Sequence, residues 1–328
     1  MNLLISRHDK IGDFILSLPM IKIAKEQLIN TKIIVLVSKV NYEFAQSLDF
    51  VDDVILYDNT IFTLAKKIKE KNIDVSISAF TDTKLAIALL FAGVKKRYSP
   101  ATKLAQIFSN YRIEQRRSQV KMKEFEYNIE LLKAFEPNIK SSFKKPLLVF
   151  TEQEKQEQLN LFKKQFHITK DFRYIVFHPG FGGSSDGNLT LDDYIKLAKS
   201  ISDKADIKIV FTFGPDDAKG KEYIIKHIDF DAILFDSTLL LNDFCKLLSN
   251  FEIFVSTSTG PMHLAGAVNI KTISFFGDTL FASDKRWATI SEEKKQNNFM
   301  IPEHYTKELY HKIEMKLNST IEGHKCHK

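Results

Sequence analysis

Three short clusters combine residue types that do chemistry with the spacing of a tight turn or a helix start. The first is Arg7-His8-Asp9-Lys10-Ile11-Gly12-Asp13. A carboxylate at Asp13 can remove a proton as a general base, or it can cap a helix by accepting backbone N–H bonds. Spacing alone leaves both readings open. Gly12 permits a tight turn, but the run is not a G-x-G-x-x-G fingerprint and gives no support to a dinucleotide cofactor. The second cluster is His178-Pro179-Gly180-Phe181-Gly182-Gly183-Ser184-Ser185. Its glycines and serines have the composition of a phosphate-cradling loop, without the Gly-Lys-Ser/Thr of a P-loop. A merely flexible loop fits the same residues. The third is Ser256-Thr257-Ser258-Thr259-Gly260-Pro261-Met262-His263. Ser, Thr and Gly ahead of Pro261 mark a helix start, and the same geometry aims donors at an anion. His263, one turn in, could reach that anion or serve only the fold.

Periodicity gives the elements that must position these clusters. Leu3–Ser6 reads as a strand, and Phe14, Leu16, Leu18, Ile21 and Ile23 predict a helix over Phe14–Leu28. Strands at Lys32–Val37, Val51–Tyr57 and Ile73–Ala79 alternate with helices at Asn41–Leu48, Ile61–Glu70 and Thr83–Gly93. A basic stretch then interrupts the pattern and is expected to be irregular. A helix at Phe125–Phe135 follows, and Pro137 and Pro146 mark a linker. Thr151–Phe166 reads as a helix opened by the capping-box spacing of Thr151 and Glu154. The second series places strands at Tyr174–His178, Ile207–Phe213, Ala232–Phe235, Ile253–Ser256 and Thr272–Phe276. Its helices are Thr190–Ser200, Asp216–Ile228, Leu240–Leu248 and Met262–Val268, with a closing helix at Pro302–Leu317. Each cluster therefore follows a strand and precedes a helix, where open α/β sheets bind ligands. The chain is expected to be α/β, with two Rossmann-like, doubly wound domains, 1–150 and 151–328, facing a cleft.

Composition bounds the partners. The 328 residues are 44% hydrophobic and 27% charged, the balance of a globular protein. The longest nearly uncharged apolar run, Leu85–Val94, has ten residues, against the ~20 that a membrane span needs. Arg7, His8, Asp9 and Lys10 break the first apolar run, so no signal peptide is read. Cys245 and Cys326 form neither a disulfide framework nor a metal-ligand cluster, so a cytoplasmic setting is expected. Asp229-Phe230-Asp231 is the only Asp-x-Asp triplet and lies between a predicted helix and strand, so no metal is expected. The net charge of +6 is local: ten basic residues from Lys84 to Lys123 face Glu114 alone, giving +9 there and −3 elsewhere. A solvated loop fits such a run. Interleaved Tyr98, Phe108 and Tyr111 also suit an acidic acceptor displayed on a membrane. No nucleic-acid-binding motif accompanies it, so nucleic acid is not expected.

In this order the clusters resemble the bacterial heptosyltransferases, glycosyltransferase family nine, inverting enzymes of GT-B fold. Arg7, Asp9, Ile11, Gly12 and Asp13, with Pro19 downstream, resemble the family's N-terminal signature. His178 to Ser184 resembles the opening of its donor domain, and Ser258–Ala267 with Phe275-Phe276-Gly277 its nucleotide-sugar signature. Glu126-Tyr127-Asn128 before Leu131-Leu132 matches a smaller landmark. The resemblance runs from Met1 to about Gly277. It implies that Asp13 is the general base for an acceptor hydroxyl. It implies that Gly182, Gly183, Ser184, Ser258, Thr259, Gly260 and His263 bind the donor, with the diphosphate at the Thr259-Gly260 turn and His263. Asp217 would face the ribose, and Leu239 would lie near the adenine. The acceptor side falls to Lys95, Lys96, Arg97, Lys103, Arg112, Arg116 and Arg117. Two features depart from the pattern. Gly187 stands where many members carry Lys, with Leu189-Thr190 in place of Trp-Pro, and Ser258 stands where several have an acidic residue.

The function so implied is inverting, metal-independent glycosyl transfer with no cofactor beyond a nucleotide-sugar co-substrate, expected to be ADP-heptose. The expected acceptor is the lipopolysaccharide inner core or a related acidic, lipid-linked surface glycan. The protein would then be peripheral on the inner face of the cytoplasmic membrane. Two other readings stand beside it. A nucleotide-sugar epimerase of the same fold would form product without acceptor, and a non-catalytic glycan- or nucleotide-binding protein would bind without turnover.

Overall fold

Val-, Ile- and Leu-rich runs too short for helices become parallel strands buried on both faces. The computed structural model describes residues 1–102, 104–180 and 187–323. The chain divides into two units between Lys144 and Lys145. In the first, the strands are β1 (Asn2–Ser6), β2 (Lys32–Val37), β3 (Asp53–Leu56), β4 (Val75–Ser78), β5 (Lys96–Pro100) and β6 (Tyr111–Ile113). They pair in parallel in the order β3-β2-β1-β4-β5-β6. The helices are α1 (Ile11–Ile15), α2 (Leu18–Gln27), α3 (Lys39–Gln46), α4 (Ile61–Glu70), α5 (Thr83–Phe91) and α6 (Glu124–Phe135). Leu4, Ile34 and Leu36 of the sheet pack against Leu64, Ile68, Leu85 and Leu89 of α4 and α5.

The second unit opens with α7 (Glu152–Gln165), whose Thr151 and Glu154 form the expected capping box. Then come β7 (Arg173–His178), α8 (Leu191–Lys199), β8 (Ile207–Phe213), α9 (Ala218–His227), β9 (Ile233–Asp236) and α10 (Leu241–Leu248). The chain continues through β10 (Ile253–Thr257), α11 (Gly260–Ala267), β11 (Lys271–Gly277), α12 (Asp284–Trp287), β12 (Gln296–Ile301) and α13 (Lys307–Glu322). Its strands are again parallel, in the order β12-β11-β10-β7-β8-β9. Phe177, Phe211, Val255 and Phe275 form its core with Tyr194, Leu197, Ile313 and Leu317. Both sheets are thus doubly wound, and their strand order reverses between β1 and β4 and between β7 and β10. Such reversal points are where α/β sheets open a crevice for ligands.

Three expectations need correction. The helix read over Phe14–Leu28 is two helices, α1 and α2. The Ser17 hydroxyl bonds the Phe14 carbonyl at 2.7 Å, and Pro19 takes a first-turn position of α2. The basic stretch is not irregular throughout: β5, a 3-10 turn at Leu104–Phe108 and β6 complete the sheet, with Tyr98 stacked on Tyr111 at 4.3 Å. β12 went unread because its Gln-Asn-Asn start carries no apolar alternation, and the closing helix starts only at Lys307. Among the described residues no helix is long and apolar enough to cross a membrane.

Candidate active site

β1 delivers Arg7 to the reversal point of the first sheet, and α1 begins directly after it. Lys10 is the N-cap of α1 and Asp13 lies in the first turn, so capping is not the work of Asp13. Its carboxylate instead accepts a bond from Arg7 Nη2. Arg7 is only 4% exposed. It also donates to Asp9 Oδ1 at 2.9 Å, the Ala79 carbonyl at 3.3 Å and Glu124 Oε1 at 3.4 Å. Burial pulls the guanidinium pKa down, but the charges of Asp13, Asp9 and Glu124 more than restore it, so Arg7 stays charged. Asp13 meets the converse. Burial, together with the negative charges of Asp9 and Glu124, outweighs Arg7 and pushes its carboxyl up to about 6. One cation shared by three carboxylates is favourable for the cation and costly for Asp13. A carboxylate tuned close to neutrality is well matched to proton abstraction.

Glu124, the first residue of α6, holds this arrangement from behind and is 1% exposed. Arg117 Nη1 donates to the same carboxylate. Arg117 donates further to Gln115 Oε1 at 2.8 Å and Asn128 Oδ1 at 3.4 Å, and lies over the Tyr127 ring. Asn128 ties α6 to the Leu16 carbonyl at 3.0 Å, and Gln115 bonds the Tyr127 carbonyl at 2.6 Å. The short turn at Arg117–Gln119 is flanked by left-handed residues, Arg116 at φ 43° and Val120 at φ 46°. That conformation is costly for a β-branched residue, and the surrounding bonds enforce it. Asp13, Arg7, Glu124 and Arg117 therefore form one continuous chain of charge, buried at Arg7 and Glu124 and half-buried at its two ends. Sequence reasoning singled out Glu126-Tyr127-Asn128 but missed Gln115, Glu124 and the part played by Arg7. A signal was present: a Glu opening a helix with an apolar face is too costly to bury without a cation. Beside this chain, His8 stacks on Tyr57 at 4.1 Å with Nε2 3.2 Å from Asp82 Oδ2, while Asp82 caps α5 through Leu85 N–H.

The basic residues assigned to the acceptor divide into two kinds. Arg97 donates to the Phe108 and Val94 carbonyls, and Arg112 to those of Ser109 and Ile107. Arg117 is committed to Glu124, and exposed Arg116 bonds Glu114. Lys95 and Lys96 are exposed, and Lys103 lies outside the described residues. The expected lack of compensating acid is thus corrected, since Glu124 stands one residue beyond the run from Lys84 to Lys123. A cavity of about 350 Å³ in this unit is lined by Gln115, Arg116, Lys121 and Tyr127, among others.

In the second unit, the glycine cluster follows β7 and the Ser/Thr cluster follows β10, the two strands at the reversal point. His178 is buried, which lowers its pKa, and its Nδ1 faces the Thr212 hydroxyl at 3.0 Å. Asp217 accepts a bond from Gly214 N–H at 2.7 Å and lies against Gly180, where a Cβ would meet its carboxylate at 2.3 Å. Gly182, Gly183 and Ser184 lie outside the described residues. Ser258 N–H bonds the Phe275 carbonyl at 2.9 Å, and buried Thr259 takes the N-cap position of α11 without a side-chain cap bond. Gly260 opens that helix, whose first-turn N–H groups lack intrahelical partners. His263 is 3% exposed and its Nδ1 has no partner among the described residues. Burial lowers its pKa to about 4, so it offers a hydrogen bond and not a charge. Leu239 is half-buried in the turn between β9 and α10.

Gly187 has a packing reason. A Cβ there would lie 2.3 Å from the Phe276 carbonyl oxygen and 2.6 Å from Gly277 N, and the Thr257 hydroxyl bonds the Gly187 carbonyl. No side chain fits at this position with this backbone. Asp229 and Asp231 bond Lys199 and Lys208 respectively. They fall between α9 and β9, away from the strand ends that carry the clusters.

The profile of glycosyltransferase family 9 (heptosyltransferase) matches residues 61–316, and the Arg7–Asp13 cluster lies ahead of that stretch. A glycosyltransferase-named protein of Haemophilus influenzae is 32% identical over 312 residues, 92% of this chain and 89% of that protein. E. coli ADP-heptose LPS heptosyltransferase II shares the fold with a TM-score of 0.81 at 19% identity, over 99% of this chain and 100% of that one. E. coli heptosyltransferase WaaC with ADP does so with a TM-score of 0.71 at 18% identity, over 98% and 100%. With paired doubly wound sheets of GT-B type and a family match over most of its length, this glycosyltransferase belongs to family 9, the heptosyltransferase family.

Proposed function

We propose that the protein transfers heptose from ADP-heptose, with inversion, onto an acidic lipid-linked glycan such as the lipopolysaccharide inner core, working at the inner face of the cytoplasmic membrane. The observation that carries this reading is the Asp13 carboxyl, buried beside Arg7 at the end of β1 and poised at about 6. In the reaction an acceptor hydroxyl gives its proton to Asp13 as its oxygen bonds the anomeric carbon. The bond from that carbon to the diphosphate oxygen breaks on the opposite side, and the nucleotide leaves with the electron pair. Such a base contributes roughly 10²–10⁴-fold in rate.

The charge developing on the diphosphate is met by the N-terminus of α11, by Thr259 and Gly260, and by an N–H of neutral His263. No metal is needed for that. Gly182, Gly183, Ser184 and Ser258 belong to the same donor site, with Asp217 toward the ribose and Leu239 toward the adenine. The fold match to E. coli proteins described with ADP-heptose and with ADP supports an adenine nucleotide. On the acceptor side, exposed Lys95, Lys96 and Arg116 make contact, while Arg97 and Arg112 brace the nearby backbone and Arg117 is held by the Glu124 carboxylate.

The test is nucleotide release from ADP-heptose with and without a deacylated inner-core acceptor. ADP appears only with acceptor and is unaffected by chelator, and Asp13→Asn abolishes it while retaining ADP binding. Conversion of a nucleotide sugar without acceptor identifies an epimerase instead. Binding without turnover identifies a non-catalytic protein.

A further inference from the structure

Large apolar side chains point outward from three adjoining elements of the first unit. Phe62, at the start of α4, is 75% exposed, and Phe91, at the end of α5, is 56% exposed; their rings stack at 5.9 Å. α5 also packs against the 3-10 turn at Leu104–Phe108, which displays Leu104 at 81% and Ile107 at 58% exposure. Surfaces that expose neighbouring side chains of this size do so for a partner.

The 3-10 turn is held rigidly. Arg97 bonds the Phe108 and Val94 carbonyls, and Arg112 bonds the carbonyls of Ile107 at 3.4 Å and Ser109 at 3.1 Å. Asn110 bridges Arg97 N–H at 2.8 Å and the Lys95 carbonyl at 2.6 Å. The apolar tips therefore stand on a frame of guanidinium groups, with exposed Lys95 in the turn that leaves α5 and exposed Lys96 opening β5. From Lys84 to Lys123 the one acidic residue, Glu114, is bonded to Arg116.

We infer that Phe62, Phe91, Leu104 and Ile107, fringed by Lys95 and Lys96, form a docking surface for an anionic lipid bilayer. Side chains of this kind enter the boundary between headgroups and acyl chains while the cations remain among the lipid phosphates. A second copy of the chain is disfavoured, because a two-fold contact sets the same patch against itself and brings lysine to lysine. The inference deepens the proposed function and leans on its membrane-displayed acceptor only for its use in the cell.

The full-length protein is mixed with vesicles of phosphatidylcholine alone or mixed equally with phosphatidylglycerol, and co-sedimentation is measured. The wild type binds the anionic vesicles, more weakly as salt rises. Leu104→Ser/Ile107→Ser lowers the partition about tenfold or more, and Phe62→Ser on the other element lowers it independently. Should the double variant lose its fold, Phe62→Ser carries the test. ADP release with a deacylated, water-soluble acceptor is unchanged in these variants, so lipid binding and transfer can fail separately. A wild type indifferent to anionic lipid, or variants that bind like it, overturns the inference. So does a wild-type dimer that the double variant splits, which assigns the surface to a second copy.

Discussion

Glu124→Gln perturbs Asp13 without touching it. Arg7 reaches Glu124 through Nη1 and Asp13 through Nη2, so two carboxylates flank one guanidinium. At a separation of about 6 Å, unit charges interact by ~3 kcal/mol at an effective dielectric of ~20. Arg117 on the far side of Glu124 cancels part of this. If about half survives, removing the Glu124 charge moves the Asp13 carboxyl from about 6 to about 5. The direction is fixed by sign: one fewer negative neighbour favours ionised Asp13. Arg7 and Asp9, the other charged groups facing it, are unchanged.

The assay is kcat against pH from about 5 to 8 with saturating ADP-heptose, with Tm and ADP affinity measured in parallel. Wild-type kcat falls as pH drops through about 6, because protonated Asp13 cannot act as base. In the variant that limb moves to lower pH by about one pH unit, and the plateau drops several-fold because a weaker base remains. Tm falls as well, since a buried carboxylate between two arginines has been removed. A uniform loss of kcat with the limb in place would make Glu124 purely structural. A wild type with no limb near 6 would refute Asp13 as the controlling base.

Other outcomes follow from the same geometry. Asp13→Asn loses transfer but keeps or raises Tm at pH 7.5. Its carboxyl, pushed up to about 6, lies above the ~3.9 of a free aspartate, so the cost of ionised Asp13 grows as pH rises from about 4 and is complete above about 6, and the difference from wild type closes as pH falls through that window; a Tm well below wild type at pH 7.5 contradicts this. His263→Ala weakens ADP binding several-fold, the scale of one hydrogen bond. The ratio of wild-type to variant ADP affinity should stay flat from about pH 5.5 to 8, because the imidazole is already neutral and the ADP phosphate, whose second pKa is about 6, titrates alike in both; a ratio that titrates in that range refutes it. Gly187→Ala destabilises the second unit by roughly 1–3 kcal/mol through overpacking, and Gly187→Lys gives no tighter donor binding, as thermal melts and ADP titration will show. Arg117→Glu sets a second carboxylate on Glu124 and costs about 3–5 kcal/mol, whereas exposed Arg116→Glu melts like wild type and raises acceptor KM.

The α/β alternation was legible because its strands and helices bury regular apolar patterns. β2, α4 and β8 fall on the residues that periodicity marks, Lys32–Val37, Ile61–Glu70 and Ile207–Phe213. Legibility failed where tertiary context replaces pattern. β6 and β12 are edge strands whose outer sides pack on little, so Tyr111–Ile113 and Gln296–Ile301 carry no alternation. The break between α1 and α2 was hidden because Leu16 and Leu18 are both fully buried and keep the helical spacing going across it. Only the local chemistry of Ser17 and Pro19 betrays the break.

The candidate site divides along the same line. Clusters that ride on strand ends, such as Arg7–Asp13 and Ser258–His263, are readable because a strand followed by a helix fixes their place in the sheet. The buried charge chain was not readable, because its energetics depend on a pair 117 residues apart, Arg7 and Glu124. Counting charge from Lys84 to Lys123 made Arg117 look uncompensated when its partner is the next residue after that run. Residue type held better information than the sum. A guanidinium gives several directed bonds and tolerates burial, while an ammonium is strongly hydrated and stays in water. Arg7, Arg97 and Arg117 accordingly brace backbone or buried carboxylate, and Lys95 and Lys96 remain on the surface. The positive charge available to an acceptor or a lipid headgroup is therefore carried mainly by lysines and Arg116, and the arginine share of the run belongs to the fold that displays them.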